Sequence, residues 1–165
     1  MNNRDINEII PHLYISNWET SNNPEILNRY KIKAVITLET TNKPPQILKY
    51  YKDNGIEFLY ISLFDNQNSD IYRYFDETYN FIKKHRLNNE NTLVHCAAGI
   101  SRSATIILNF MITTMFENSF LKNENPDDII NYVLNIARSR RSIINPNRGF
   151  LNQLKDKIKD YQHYQ

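Results

Sequence analysis

TLVHCAAGISRS, Thr92–Ser103, decides how this chain is read. Thr92, Leu93 and Val94 are β-branched or apolar, the composition of a short buried strand. His95 and Cys96 close that strand. Ala97 to Ser101 form a tight turn with Gly99 in its middle, and Arg102 opens an apolar run, Ser103–Met115, of helical character. A cysteine therefore stands where a strand ends, a small-residue loop curls and a helix begins. The amides of such a loop and of a first helical turn converge, and the helix dipole adds positive potential. A cradle of this kind holds an anion, and a thiol inside it ionises readily and acts as a nucleophile.

The spacing points to phosphate. Five residues separate Cys96 from Arg102, enough to wrap a tetrahedral group and return a guanidinium to it. The parallel N–H donors of arginine match two phosphate oxygens, which lysine cannot do. Gly99 lets the amides converge where a side chain would interfere. The phosphate-binding set is thus Ala97, Ala98, Gly99, Ile100, Ser101 and Arg102. Ser103 can donate its hydroxyl to the sulfur and favour the thiolate. A lone cysteine in an apolar segment is ordinarily a buried hydrophobe; Gly99 and Arg102 at this spacing reverse that reading.

His95-Cys96-Ala97-Ala98-Gly99-Ile100-Ser101-Arg102-Ser103 resembles the signature of the cysteine-dependent tyrosine phosphatases, in the form used by dual-specificity phosphatases. Two flanking stretches extend the likeness. Ile9–Ser16 is similar to that family's opening strand. Ser139–Asn147 and Gly149-Phe150-Leu151 are similar to its closing segment. The resemblance implies an α/β fold with a central, mainly parallel sheet flanked by helices. It implies hydrolysis of phosphotyrosine and phosphoserine or phosphothreonine through a cysteinyl phosphate. His95 takes from it a supporting role, orienting the loop and lowering the cysteine pKa. The uncharged residues between Cys96 and Arg102 differ from the lysines that lipid-directed relatives usually carry there. Relatives directed at RNA 5′-triphosphate have a different loop, with threonine after the arginine. A phosphate-binding module without turnover is the reading from another class, opposed by the presence of Cys96, Arg102 and an acid together.

Composition sets the frame. The 165 residues fit one domain, 1–165, with a core at about 9–154. A net charge of +2 gives no global argument for nucleic acid or membrane. One cysteine allows no internal disulfide and suits a reducing compartment. Met1–Asp5 has no apolar signal core, so a cytoplasmic or nuclear location is expected. Oligomeric state leaves no trace in the sequence. The three glycines, Gly55, Gly99 and Gly149, each mark a special backbone position.

Strands read at Leu13–Ile15, Ala34–Leu38, Phe58–Ile61 and Thr92–Val94 alternate with helices at Pro24–Tyr30, Gln46–Asp53 and Ile71–His85. Asp70 reads as the cap of the last of these, with Ile71, Phe75, Thr78, Tyr79 and Ile82 on its inner face. Helices then follow at Ser103–Phe116, Pro126–Arg138 and Asn147–Tyr161. Against typical relatives, Thr113–Asp127 is longer by roughly ten residues, within what loops tolerate, and offers Phe116, Phe120 and Leu121 as a partner surface.

A thiolate can attack phosphorus, but the leaving oxygen needs a proton. Asp65, on the loop after the third strand, is the expected acid, because parallel strands bring such loops to one sheet edge. The resemblance places its mobile acid loop there too. The catalytic set is then Cys96, Arg102, Asp65 and Ser103. Arg141 and Arg148, in a basic cluster with Arg138 and Arg140, are expected to form a substrate rim for acidic phosphopeptides. No His/Cys/Asp cluster has metal-ligand spacing, and the chemistry calls for no cofactor. The expected partner is a phosphoprotein substrate, with no nucleic acid and no membrane.

Overall fold

The computed structural model describes residues 5–119 and 121–164. A hairpin opens the chain, β1 (Ile6–Ile10) and β2 (Leu13–Ser16). The stretch read as one opening strand is split at Pro11-His12, where His12 adopts a positive φ of 67°. Two short helices follow, α1 (Trp18–Ser21) and α2 (Pro24–Arg29), capped by the side chains of Asn17 and Asn23. Then come β3 (Ile32–Glu39), α3 (Pro45–Asp53), β4 (Glu57–Ser62), α4 (Phe75–Leu87) and β5 (Asn91–His95). The chain ends in α5 (Arg102–Asn118), α6 (Pro126–Arg140) and α7 (Arg148–Tyr164).

The strands form one sheet in the order β1-β2-β5-β3-β4. Only β1 runs antiparallel; β2, β5, β3 and β4 are parallel. This is the mainly parallel α/β sheet expected from the alternation of elements. Both faces are covered, so the inner strands are buried at nearly every position. Alternate residues part to the two faces: Ile36, Leu38 and Val94 join α4, α5, α6 and α7, while Val35 and Leu93 join Leu27, Ile47 and Tyr51 of α2 and α3. Helix α5 packs against α4, α6, α7 and the sheet. Its residues 102–113 are all buried, as a helix surrounded on every side requires.

The inner face read for α4 is buried at all five positions. Its start differs from expectation: Tyr72–Tyr74 is a 3-10 turn and the α-helix begins at Phe75. Asp70 accepts a long 3.3 Å bond from Arg73 N in that turn. The Thr113–Asp127 stretch extends α5 to Asn118. Phe116 is not on a partner surface: it is buried, with its ring 5.0 Å from that of Tyr161, and Leu121 packs on the same core. Phe120 lies outside the described residues.

One contact ties the start of α7 to the loop after β4. A Cβ built on Gly149 would stand 2.0 Å from the Gln67 carbonyl oxygen. The obstacle is backbone, so no rotamer change relieves it. Gly149→Ala should lower the melting temperature by roughly 2–10 °C, the range given by an overpacking cost of about 1–3 kcal/mol in a domain of this size. Because that loop carries Asp65, activity on an aryl phosphate should fall with it. A G149A protein with wild-type melting and turnover would remove this contact from the account.

Candidate active site

Between β5 and α5 the chain makes the loop Cys96–Ser101. Its carbonyls are held from outside, one after another. Cys96 O accepts from His95 Nδ1 at 3.1 Å. Ala97 O accepts from Trp18 N at 2.9 Å, and Ile100 O from Asn145 N at 2.9 Å. Ala98 O and Gly99 O accept from Arg141 Nη2 and Nε at 3.0 and 2.9 Å. Ser101 O accepts from the backbone and hydroxyl of Thr105. In a trans peptide the N–H points opposite the carbonyl. Six carbonyls turned outward therefore turn the amides of Ala97 to Arg102 inward, toward one centre.

Cys96 forms the floor of this ring. It is only 2 % exposed, but polar groups surround its sulfur: Ser103 Oγ lies at 3.1 Å and Gly99 N–H donates to Sγ at 3.3 Å. When the sulfur is a thiolate, the Ser103 hydroxyl can only be the donor. Gly99 has a φ of +67°, and a Cβ there would meet Ser16 O at 2.6 Å and Arg141 Nη2 at 2.8 Å. The strand–loop–helix geometry read from the sequence is present.

His95 is wholly buried, and that burial, with lesser repulsion from Lys43 and Arg102, pushes its pKa well below the ordinary 6.5. It is neutral near pH 7. Cys96 O can only accept, so Nδ1 carries the proton and Nε2 accepts from the Thr37 hydroxyl at 2.7 Å. The neutral ring thus holds the Cys96 carbonyl through Nδ1 and brings no full charge to the thiol.

Arg102 begins α5 and is 8 % exposed. Its Nη1 donates to Glu39 Oε1 at 3.1 Å and to Leu63 O at 3.0 Å, and Nη2 reaches Glu39 Oε2 at 3.4 Å. Its Nε is buried and has no hydrogen-bond partner among the described residues. Glu39 escaped the sequence reading. It ends β3, which lies between β5 and β4, so β4 is not the direct neighbour of β5. The parallel order still brings the loop after β4 to the same edge. The available signal was a carboxylate ending an apolar strand, a group that needs a cation if buried.

Asp65 is exposed on that loop, and its Oδ1 accepts from Asn147 Nδ2 at 2.9 Å. Asn147 N in turn donates to Ser101 Oγ at 3.0 Å. Asn147, also missed in the sequence, thus links the Asp65 loop to the Cys96–Ser101 loop. Arg141 and Arg148 are not alike. Arg141 is 4 % exposed and grips the back of the loop, so it is a buried strut and not a rim residue. Arg148 is exposed in the first turn of α7 and faces a groove with Asp127, Ile130 and Leu134 of α6. No described contact joins it to Cys96 or Asp65.

Three comparisons bear on this geometry. The family described as "Dual specificity phosphatase, catalytic domain" matches residues 13–160. The chain belongs to that family. Dual specificity protein phosphatase 22 of Mus musculus is 31% identical over 158 residues, covering 96% of this chain and 76% of the relative. Dual specificity protein phosphatase 15 of Mus musculus is 34% identical over 149 residues, covering 90% of this chain and 56% of the relative. A crystal structure of DUSP15 superposes with a TM-score of 0.78 at 29% identity, covering 97% of this chain and 94% of that one. The human tyrosine phosphatase-like serine/threonine/tyrosine-interacting protein shares the fold, with a TM-score of 0.77 at 24% identity over 96% of this chain and 98% of that one. The family's reaction is hydrolysis of protein phosphomonoesters through a cysteinyl phosphate.

Lys43 lies against Trp18, whose amide holds Ala97 O. Its Nζ donates to Ser21 Oγ and Asn22 Oδ1 at 2.8 and 2.7 Å and lies 4.7 Å from the Trp18 ring centre. Burial lowers its pKa to about 7 from the ordinary 10.5. Between about pH 7 and 10.5 the unfolded chain holds a proton that the folded chain has lost, so stability rises with pH. The unfolding free energy of wild type minus Lys43→Met should climb from pH 7 to 10 in denaturant melts; a flat difference would mean the amine keeps its charge. Glu39→Gln should leave the fold intact and lower kcat/KM for an aryl phosphate by about tenfold through loss of Arg102 orientation. Unchanged kcat/KM would detach Glu39 from the reaction.

Proposed function

We propose that Cys96, Asp65, Arg102 and Ser103 carry the phosphatase reaction, with the amides of Ala97 to Arg102 holding the phosphoryl group. The observation that carries this reading is that each loop carbonyl accepts from outside the loop, which turns the amides toward a sulfur that already accepts from Gly99 N–H. Cys96 Sγ attacks phosphorus in line. The S–P bond forms as the bond to the leaving oxygen breaks, and that oxygen takes the proton of Asp65. Arg102 and the loop amides hold the equatorial oxygens where negative charge gathers. Asp65, now a carboxylate, takes a proton from water, whose oxygen attacks phosphorus. The S–P bond breaks, and Ser103 donates to the departing thiolate. Fixing Asp65 is the part assigned to Asn147.

The substrates are phosphoproteins. Neutral residues at Ala97, Ala98, Ile100 and Ser101 suit a phosphorylated side chain better than a polyanionic lipid headgroup or an RNA 5′-triphosphate, which would draw cations into the loop. Phe64, 65 % exposed beside Asp65, offers a ring for the flank of a bound peptide. Among the described residues, no helix is long and apolar enough to cross a membrane.

The test is turnover of a chromogenic aryl phosphate and of peptides carrying phosphotyrosine, phosphoserine or phosphothreonine. Cys96→Ser should abolish release of phosphate. Asp65→Asn should lower kcat by about 10²–10⁴-fold, the range for loss of a general acid. Phosphate release by C96S equal to wild type, or none from any phosphopeptide, overturns the assignment. The latter result with retained phosphate binding would make the protein a binding module.

A further inference from the structure

We propose that Arg141 is a positioning residue of this reaction, and that its positive charge reaches Cys96 and the bound phosphoryl group through the two peptide groups it grips. The inference rests on the proposed role of Cys96 as nucleophile.

Arg141 follows α6, with its side chain 3 % exposed. Every part of the guanidinium is engaged: Nε and Nη2 donate to Gly99 O and Ala98 O, Nη1 donates to Asn7 Oδ1 at 2.9 Å, and Nη1 also pairs with the Asp5 carboxylate. The neighbouring Arg140 is exposed, and Arg138 donates to Ile144 O, so the inward turn belongs to one arginine of the cluster.

Ala98 O and Gly99 N belong to one peptide plane. The oxygen accepts from Arg141 at 3.0 Å and the N–H donates to Cys96 Sγ at 3.3 Å. Guanidinium and sulfur therefore sit at opposite ends of a single trans amide. A cation at the oxygen deepens the amide dipole and strengthens its N–H as a donor to an anion. Gly99 O and Ile100 N make the next plane, polarised in the same way toward the cradle. Two carbonyls one residue apart need a fork, which arginine has and lysine lacks. Asp5 and Asn7 hold the far side of that fork from the N-terminal strand. Asp5 also offsets the charge, so it sets how much of it the loop feels. The other charged groups on elements packed about the loop are Arg102 with Glu39, Asp65, and Lys43 behind the neutral His95.

The experiment measures the ionisation of Cys96 directly, by the pH dependence of its alkylation with iodoacetamide, independently of turnover. The affinity of inorganic phosphate and the melting temperature are measured alongside. In Arg141→Met the thiol titration should move up by about one pH unit and phosphate affinity fall about tenfold. Arg141→Lys should lie between R141M and wild type. Asp5→Asn removes the offsetting charge without removing the strut, so its thiol titration should move down. A merely structural arginine would lower the melting temperature while leaving the alkylation profile of folded R141M on the wild-type curve; that result overturns the proposal. Should R141M fail to fold, D5N decides: an upward shift or none counts against it. Alkylation that shifts as described in a protein without turnover would leave Arg141's role standing and remove the catalytic assignment instead.

Discussion

The site depends on one constraint: each carbonyl of the Cys96–Ser101 loop has a donor outside the ring. A loop of small residues has no stiffness of its own, and six peptide dipoles aimed at one point repel each other until an anion arrives. The outward bonds fix the planes beforehand, so the cost of converging the N–H groups is met in folding and not in binding. The donors differ in kind: a neutral imidazole, main-chain amides of Trp18 and Asn145, the first turn of α5, and the fork of Arg141. They come from β5, α1, the segment before α7, α5 and the end of α6. The loop is therefore only as well formed as the tertiary structure around it.

The sheet order explains why Arg102 and Asp65 can serve one centre. With β3 between β5 and β4, the strand ends at Cys96, Glu39 and Leu63 stand side by side at one edge. Arg102 spans that edge, bonding Glu39 and the Leu63 carbonyl two residues from Asp65. A guanidinium buried alone would be costly, and one tied to Glu39 is held in a single orientation. The same bridge couples Arg102 to the loop that carries Asp65, while Asn147 couples that loop to Ser101 from the other side. The Cys96–Ser101 loop, Arg102 and Asp65 are thus linked in a closed circuit of short bonds.

What was legible in the sequence was local. The strand, loop and helix around Cys96 are contiguous, and chemistry within a dozen residues can be read from spacing. The apolar face of α4 and the mainly parallel sheet were legible for the same reason, since periodicity and alternation are short-range signals. Glu39 and Asn147 were not, because each acts on a residue far along the chain. Glu39 mattered only once β3 lay between β5 and β4, an order that alternation of strands and helices does not fix. Arg141 was misread as a rim residue for a related reason. A run of arginines after a helix resembles a solvated face, and nothing within it marks the member that turns inward.

Three cations are buried around the loop, and they are not equivalent. Arg102 is paired with Glu39 and Arg141 with Asp5. Among the described residues, Lys43 meets the neutral oxygens of Ser21 and Asn22 and the face of Trp18. Burial lowers its pKa to about 7 from the ordinary 10.5. An ammonium can shed its proton when desolvation becomes expensive; a guanidinium cannot. Of the three, the two arginines keep their charge whatever the pH. Lys43 shows within the same structure what happens to a buried amine. The choice of arginine at 141 follows from two needs that lysine fails together: reaching two carbonyls at once, and staying charged while out of water.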